Sequence, residues 1–533
     1  MFLRLRARAP LAAAGLFALL LPAPARAAEP AAPLVDASAR GDLTAVRALI
    51  GKKVAVNAPR IDGMTALHAA VHADRLDIVD ALLRAGAKAT AVDRYGVTPL
   101  YLAAVNGNAD LIRRLLDAGV DPNAVDPGGE TALMTAARTG APAALRALLE
   151  RGANVDTREP EFGQTALMIA VRENQDAAVQ ILLEAGASPN AQTRKGPAPA
   201  FVPPCKGTGC GSEGVGINRG GVPDRGRRAE VKGGMTPLIY AARDGNASAA
   251  RRLIDAGADL ELGDGNNIRP LLMSLLNNNL EVARLLLSKG ANVNADDFWG
   301  RTPLWAAVEY RNLDMNNNDQ DIPTDNGVDR APILVMIKEL IDAGANVNAR
   351  TRELAPVRRW LYSLNEVSWV DFTGQTPFLR AALSADTATM RLLVEHGADP
   401  KLPTLAGTTP LMAAAGVNWV VAQTYTESVQ ARLDAVKLCL ELGAEVNATN
   451  SMGLTALLGA VNRGSNDIIE FLVQRGARLD ITDKEGRTPQ RWAEGVFLAA
   501  VGAERKPATI ALLERLSAGA QKSTSAEATV DKK

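Results

Sequence analysis

Little in this 533-residue sequence suggests chemistry of its own. It has three cysteines, three histidines and 4% aromatic residues. With so few histidines and no Ser-His-Asp or Cys-His context, no nucleophile-and-base constellation can be assembled. Charge of one sign is also missing: Lys plus Arg and Asp plus Glu both number 59. That balance gives no general drive toward nucleic acid or an anionic membrane surface. The one marked apolar run, Leu11 to Leu21, is too short to cross a bilayer.

That run reads instead as part of a processing signal. "MFLRLRARAP" carries Arg4, Arg6 and Arg8, the apolar core follows, and "APARA" closes with Ala25 and Ala27 in an A-x-A pattern. Cleavage after Ala27 would leave 55 basic against 59 acidic residues. No Cys follows the core, so no lipid anchor is expected. The address is an exported one: the periplasm first, the extracellular medium as the alternative.

What the sequence has in abundance is itself. "TPLYLAAVNGNADLIRRLLDAGVDPNAVDPGGE" (98–130) returns as "TPLIYAARDGNASAARRLIDAGADLELGDGNNI" (236–268). Anchors of the form Thr-Pro/Ala-Leu fall at 65, 98, 131, 165, 236, 302, 376, 409 and 455, completed by Arg269-Pro270-Leu271 and Thr488-Pro489. Most intervals are 33 or 34 residues; the exceptions, 71, 74 and 46, are 33 plus insertions of 38, 41 and 13. Thr at the anchor suits a helix N-cap and Pro the next position, where no N–H is needed. A short helix with an Ala pair follows, such as Ala103-Ala104 or Ala306-Ala307. A second helix with Leu and Ile at helical spacing stops at a Gly, for example Gly86, Gly119 or Gly257, 21 residues after its anchor. The remainder, "NAVDPGG" or "NADDFWG", is turn chemistry.

These phased motifs resemble the ankyrin repeat over about residues 34 to 516. The resemblance implies an all-α fold, an ankyrin-repeat α-solenoid of about twelve helix-turn-helix units with β-hairpin fingers. "LVDASARGDLTAVRALI" would be the N-terminal cap and 488–516 the C-terminal cap. One unit cannot bury its apolar face alone, so stability comes from neighbours. The expected organisation is a signal over 1–27, a cap plus four units over 28–192, a Gly/Pro-rich insertion over 193–232 and further units over 233–516. Insertions interrupt the last block near 311–331, 351–372 and 416–430, and a disordered tail occupies 517–533. Arg269 replaces a capping Thr and "LLMSLLNNN" an Ala pair, so that unit is expected to pack less regularly.

The resemblance also implies where a protein partner would bind: finger tips and the exposed positions of first helices, on the concave face. On this chain the tip residues are Arg94, Tyr95, Phe162, Phe298, Trp299 and Phe372, with Trp369 in the aromatic insertion beside the last. The helix positions are Arg138, Arg172, Glu173, Arg243, Asp244, Glu309, Tyr310, Asn462 and Arg463. Tyr95, Phe162, Phe298, Trp299 and Tyr310 are the expected anchors, because rigid aromatics dominate interface energetics. The expectation is a non-enzymatic scaffold without cofactor or metal. The alternatives are a secreted effector and a loop-based metal or redox protein.

Motifs that point elsewhere are weak. "GCGSEG" (209–214) matches G-x-G-x-x-G without a surrounding β-α-β unit. His68 and His72 have the spacing of a helical metal pair, but the Glu of H-E-x-x-H is absent and His68 is the repeat's own histidine. His396 precedes the helix-ending Gly397 and suits a helix C-terminus. "DMNNNDQDIPTD" offers Asp314, Asn316 and Asn318 in calcium-loop spacing, with Asp319 where Gly is needed. In an oxidising compartment Cys205 and Cys210 are expected to close a disulfide across "CKGTGC". Cys439, on an apolar stripe, is expected to be a buried thiol.

Overall fold

The computed structural model describes residues 32–197, 231–313, 329–352, 373–418, 428–496 and 504–530. Cys205, Cys210, Trp369, Phe372 and the 314–325 loop lie outside them. The chain forms two compact units. The first comprises the residues to Arg194 with Gly233–Ala241 and Asn246–Asp259; the second comprises Lys195–Lys232, Ala242–Gly245 and Leu260 onward.

In the first unit helices come in pairs. They are α1 (Pro33–Ala39) with α2 (Leu43–Gly51), α3 (Ala66–His72) with α4 (Leu76–Arg84), and α5 (Pro99–Asn106) with α6 (Ala109–Asp117). α7 (Ala132–Thr139) pairs with α8 (Pro142–Glu150), α9 (Ala166–Arg172) with α10 (Asp176–Glu184), and α11 (Pro237–Asp244), whose residues from Ala242 on count with the second unit, precedes α12 (Ala247–Asp255). First helices pack in the order α1, α3, α5, α7, α9, and second helices from α2 to α12.

The second unit repeats the scheme. Its pairs are α13 (Pro270–Leu276) with α14 (Leu280–Ser288), α15 (Pro303–Arg311) with α16 (Ala331–Asp342), and α17 (Pro377–Leu383) with α18 (Thr387–Glu395). α19 (Pro410–Ala415) with α20 (Val429–Glu441), α21 (Ala456–Arg463) with α22 (Asn466–Gln474), and α23 (Pro489–Ala493) with α24 (Pro507–Val530) complete it. Each unit is a stack of helix pairs, the ankyrin-repeat solenoid arrangement.

The anchors act as their chemistry requires. Thr98, Thr302 and Thr455 each accept the N–H three residues on, and Pro occupies N1 in α5, α15, α17 and α19. The Ala pairs are buried completely, as at Ala103 and Ala104, so first helices approach closely. The second helices bury one stripe: Leu111, Ile112 and Leu115 of α6 are 0% exposed. Without a capping Thr, Arg269 makes no side-chain cap, yet α13 forms and buries Leu271, Leu272 and Leu275. The irregularity expected there is confined to the cap. The Arg269 guanidinium turns away to donate to the Asp296 carbonyl at 2.9 Å.

Two expectations need correction. Among the described residues the fingers contain no strand, only an isolated Val125–Thr131 bridge. They are tight turns in which a leading side chain takes N–H groups a ladder would use: Asp93 Oδ1 accepts from Tyr95 N and Val97 N at 2.8 Å, and Thr404 Oγ1 from Thr408 N at 3.1 Å. The tail expected to be disordered is helical as far as Val530, continuing α24.

The recurring Asn of "N-A" staples neighbouring pairs. Asn57 donates to Gly86 O at 3.0 Å and accepts from Lys88 N at 2.8 Å. Asn123 and Asn190 do the same in the first unit, and Asn294, Asn348 and Asn447 in the second.

His68 is fully buried, and its environment fixes its tautomer. Nε2 faces the Val97 carbonyl at 3.0 Å, which can only accept, so Nε2 carries the proton. Nδ1 then accepts from Thr65, whose hydroxyl lies at 2.8 Å. A second proton on Nδ1 would oppose the Thr65 N–H, and burial holds the pKa below the ordinary 6.5. The unfolded chain therefore binds this proton more readily than the folded one. The stability that neutral His68 contributes is complete above about pH 6.5 and is lost as pH falls below it, by at most about 1.4 kcal/mol per unit. Denaturant unfolding at pH 7.5 and 5.5 should show this loss in the native chain, and a smaller one in His68→Gln. Equal slopes would refute the assignment.

Candidate partner-binding surface

The sequence-assigned residues separate into three kinds. In the first unit the tips are open: Tyr95 is 72% and Phe162 54% exposed, and Arg94 is also exposed. Val92 from the Tyr95 finger, and Ile61 and Val125 from the fingers before and after it, are exposed too, at 59%, 68% and 54%. Nothing but their place in polar turns marked these three in the sequence. The five lie on four consecutive fingers, Val92 and Val125 six residues before their anchors, Tyr95 and Phe162 three before theirs and Ile61 four before its own.

The first-helix positions of the same unit are already engaged with one another. Arg138 pairs with Glu130 and lies 4.0 Å from Glu173. Arg172 pairs with Glu173 at 3.1 Å and donates to Gln164 at 2.9 Å. Gln164 in turn donates to Tyr240 Oη at 3.3 Å. A partner would have to break this half-exposed network, each pair of which is worth about 0–1 kcal/mol.

In the second unit the expected anchors are covered. Phe298, Glu309, Tyr310, Asn462 and Arg463 are half-buried, as are Arg243 and Asp244, which pair with each other at 2.9 Å. Trp299 is the clear correction: it is 4% exposed and offers no anchor to solvent. Its ring meets Phe298 edge-on at 5.5 Å, and the Arg301 guanidinium lies 5.0 Å over its face. Asp297, fully buried, holds Arg301 by a 2.7 Å bond. The Trp299 carbonyl accepts from Arg352 N at 2.8 Å, which brings the next finger against it.

His68 has both ring nitrogens occupied while His72 is exposed, so the two are not a metal pair. Among the described residues no group of three or more His, Cys, Asp or Glu is placed to hold a metal ion. A cleft of about 380 Å³ in the second unit is lined by polar groups that include Asp296, Thr302 and Arg350, but no His or Cys. His396 donates to the Leu392 carbonyl at the end of α18. Cys439 is a buried free thiol, and burial pushes its pKa up to about 12, far from a reactive thiolate. No helix among the described residues is long and apolar enough to cross a membrane.

Comparison with known proteins agrees with this architecture. The model for ankyrin repeats in three copies matches residues 34–126, 106–193, 222–297 and 238–317, and the single ankyrin-repeat model matches 299–352 and 452–484. The chain belongs to the ankyrin repeat family. Among its relatives is ankyrin repeat domain-containing protein 63 of Mus musculus and of Homo sapiens. Each is 38% identical over 87 residues, 16% of this chain and 20% of the relative, so the chain spans about a fifth of those relatives' length. A solved structure of the human ASB11 ankyrin repeat domain is 25% identical and covers 49% of this chain and 99% of its own, with a TM-score of 0.37. Ankyrin repeats are protein-interaction scaffolds, generally without catalysis, and imply a protein partner.

Proposed function

We propose that this protein is a non-enzymatic scaffold of the periplasm that grips a protein partner through the finger tips of its first unit. The observation that carries the reading is the exposure of Tyr95 and Phe162, with Ile61, Val92 and Val125 beside them. Exposed rigid aromatics are the usual energetic centre of an interface. The first-helix face, with its charges paired, is the secondary surface. The periplasmic address rests on the Arg4, Arg6, Arg8, apolar, A-x-A order of the N-terminus.

Affinity capture from a periplasmic extract, read by mass spectrometry, tests both parts. The double variant Tyr95→Ala/Phe162→Ala should lose most of what the native chain captures, at least tenfold, with its melting temperature within about 2 °C, since neither side chain is in the core. Capture unaffected by that variant but lost in Arg138→Ala/Arg172→Ala would move the site to the helix face. Recovery of the protein from the culture medium rather than the periplasm would replace the scaffold with a secreted effector.

A further inference from the structure

The fingers of each unit are joined at their tips by a repeated bond. The residue four before an anchor donates its N–H to the carbonyl of the residue three before the previous anchor. Arg94 N donates in this way to Asp62 O at 2.8 Å in the first unit. In the second, Phe298 N donates to Asn266 O, Leu405 N to Thr373 O, Ser451 N to Ala406 O and Lys484 N to Met452 O, at 2.6–3.0 Å.

Twice in succession the first unit omits this bond, for two different reasons. At the finger after Tyr95 the donating position is Pro127, which has no N–H. At the next it is Glu161, whose N–H is taken at 2.6 Å by the Glu159 carboxylate. That carboxylate also accepts from Phe162 N and Gln164 N. The carbonyls of Tyr95 and Gly128 are therefore left with no donor among the described residues, and both residues are exposed. The fingers still pack: a Cβ on Gly96 would collide with the Pro127 ring, and one on Gly129 with the Pro160 ring. The tip that carries the second acceptor is Pro127-Gly128, with no large side chain, and Tyr95 and Phe162 lie on the fingers before and after it.

We infer that the exposed tips of these fingers take an extended peptide segment of the partner laid across them. Its backbone N–H groups donate to Tyr95 O and Gly128 O, supplying the bonds that Pro127 and Glu161 do not. Its apolar side chains on the same face rest against Tyr95 and Phe162. An extended chain suits both demands, because alternate N–H groups point one way and alternate side chains share a face. The inference rests on the reading that the first-unit tips are the binding surface, and adds the conformation and chemistry of what they bind.

The test uses the full chain and a displayed library of linear twelve-residue peptides. Enriched peptides should carry apolar residues at alternate positions. A synthetic copy, followed by fluorescence anisotropy, should lose at least tenfold in affinity for Tyr95→Ala/Phe162→Ala. N-methylation along the peptide should weaken binding tenfold or more at the donating positions and little at the intervening ones. Pro127→Ala should weaken it several-fold, because the restored N–H competes for Tyr95 O although no contacting side chain is lost. The inference is overturned if no peptide is enriched, if every N-methyl group is tolerated, or if Pro127→Ala binds as the native chain does. Capture of a partner that still depends on Tyr95 and Phe162, with N-methyl groups tolerated, would overturn this inference and leave the scaffold reading standing.

Discussion

Replacing Asp386 with Ala should destabilise the second unit by about 3–5 kcal/mol, the cost of leaving a buried charge without its partner. Asp386 is 1% exposed and caps α18, accepting from Thr389 N at 3.1 Å. Its other oxygen accepts from Thr389 Oγ1 at 2.6 Å, Arg311 Nε at 2.8 Å and Asn312 Nδ2 at 3.3 Å. The Arg311 side chain is 7% exposed, so the pair is shielded from water. A second guanidinium adjoins it: Arg380, 5% exposed, donates to Ser384 Oγ and to the Asn312 carbonyl, both at 2.9 Å. Burial pulls the Arg380 pKa down to about 10, against the pull of Glu309 and Asp386, so it stays charged at neutral pH. Removing Asp386 would leave Arg311 buried without a counter-ion and take an acceptor from three further donors, the Thr389 N–H, the Thr389 hydroxyl and the Asn312 amide. Urea unfolding should show the loss. Asp386→Asn should lose less, because it keeps a cap. Arg311→Met/Asp386→Ala should recover part of the loss, since the stranded cation is gone. Equal losses in the single and double variants would mean that the cap, rather than the ion pair, carries the effect.

This cluster also marks where sequence reading stops. Local signals were sufficient for the helices: Thr at an anchor, Pro after it, an Ala pair and a closing Gly each act within a few residues, and their periodic return sets the register. The Asn staples were visible only as turn residues, because each bonds to a partner 29 or more residues away in the next repeat. Asp386 occupies a position where other repeats place amides that reach back to the preceding pair, as Asn279 does to Ala242 O at 2.8 Å. That Asp386 instead receives a guanidinium 75 residues earlier, across an insertion, has no local signature. The tip aromatics were found by position alone. Position could not tell which would be open, since Tyr95, Phe162 and Trp299 all stand three residues before an anchor.

For Trp299 that ambiguity has a thermodynamic consequence. Trp299→Ala should cost about 3–5 kcal/mol in the second unit, the range for a fully buried large aromatic, and should not behave as a surface substitution. Three separate interactions go with the ring: the edge-on contact with Phe298, the Arg301 guanidinium over its face, and the apolar area removed from water. What remains is worse than a simple cavity. Asp297 and Arg301 are 0% and 5% exposed, and the indole shields their ion pair from solvent. Opening that cover admits water to the pair and weakens it. By contrast Tyr95→Ala, at the same place in its repeat but 72% exposed, should change stability by less than about 0.5 kcal/mol. Urea midpoints of the two variants, measured side by side, would separate a structural tip from a binding tip. A Trp299→Ala chain as stable as the native one, with diminished partner capture, would return Trp299 to the binding surface.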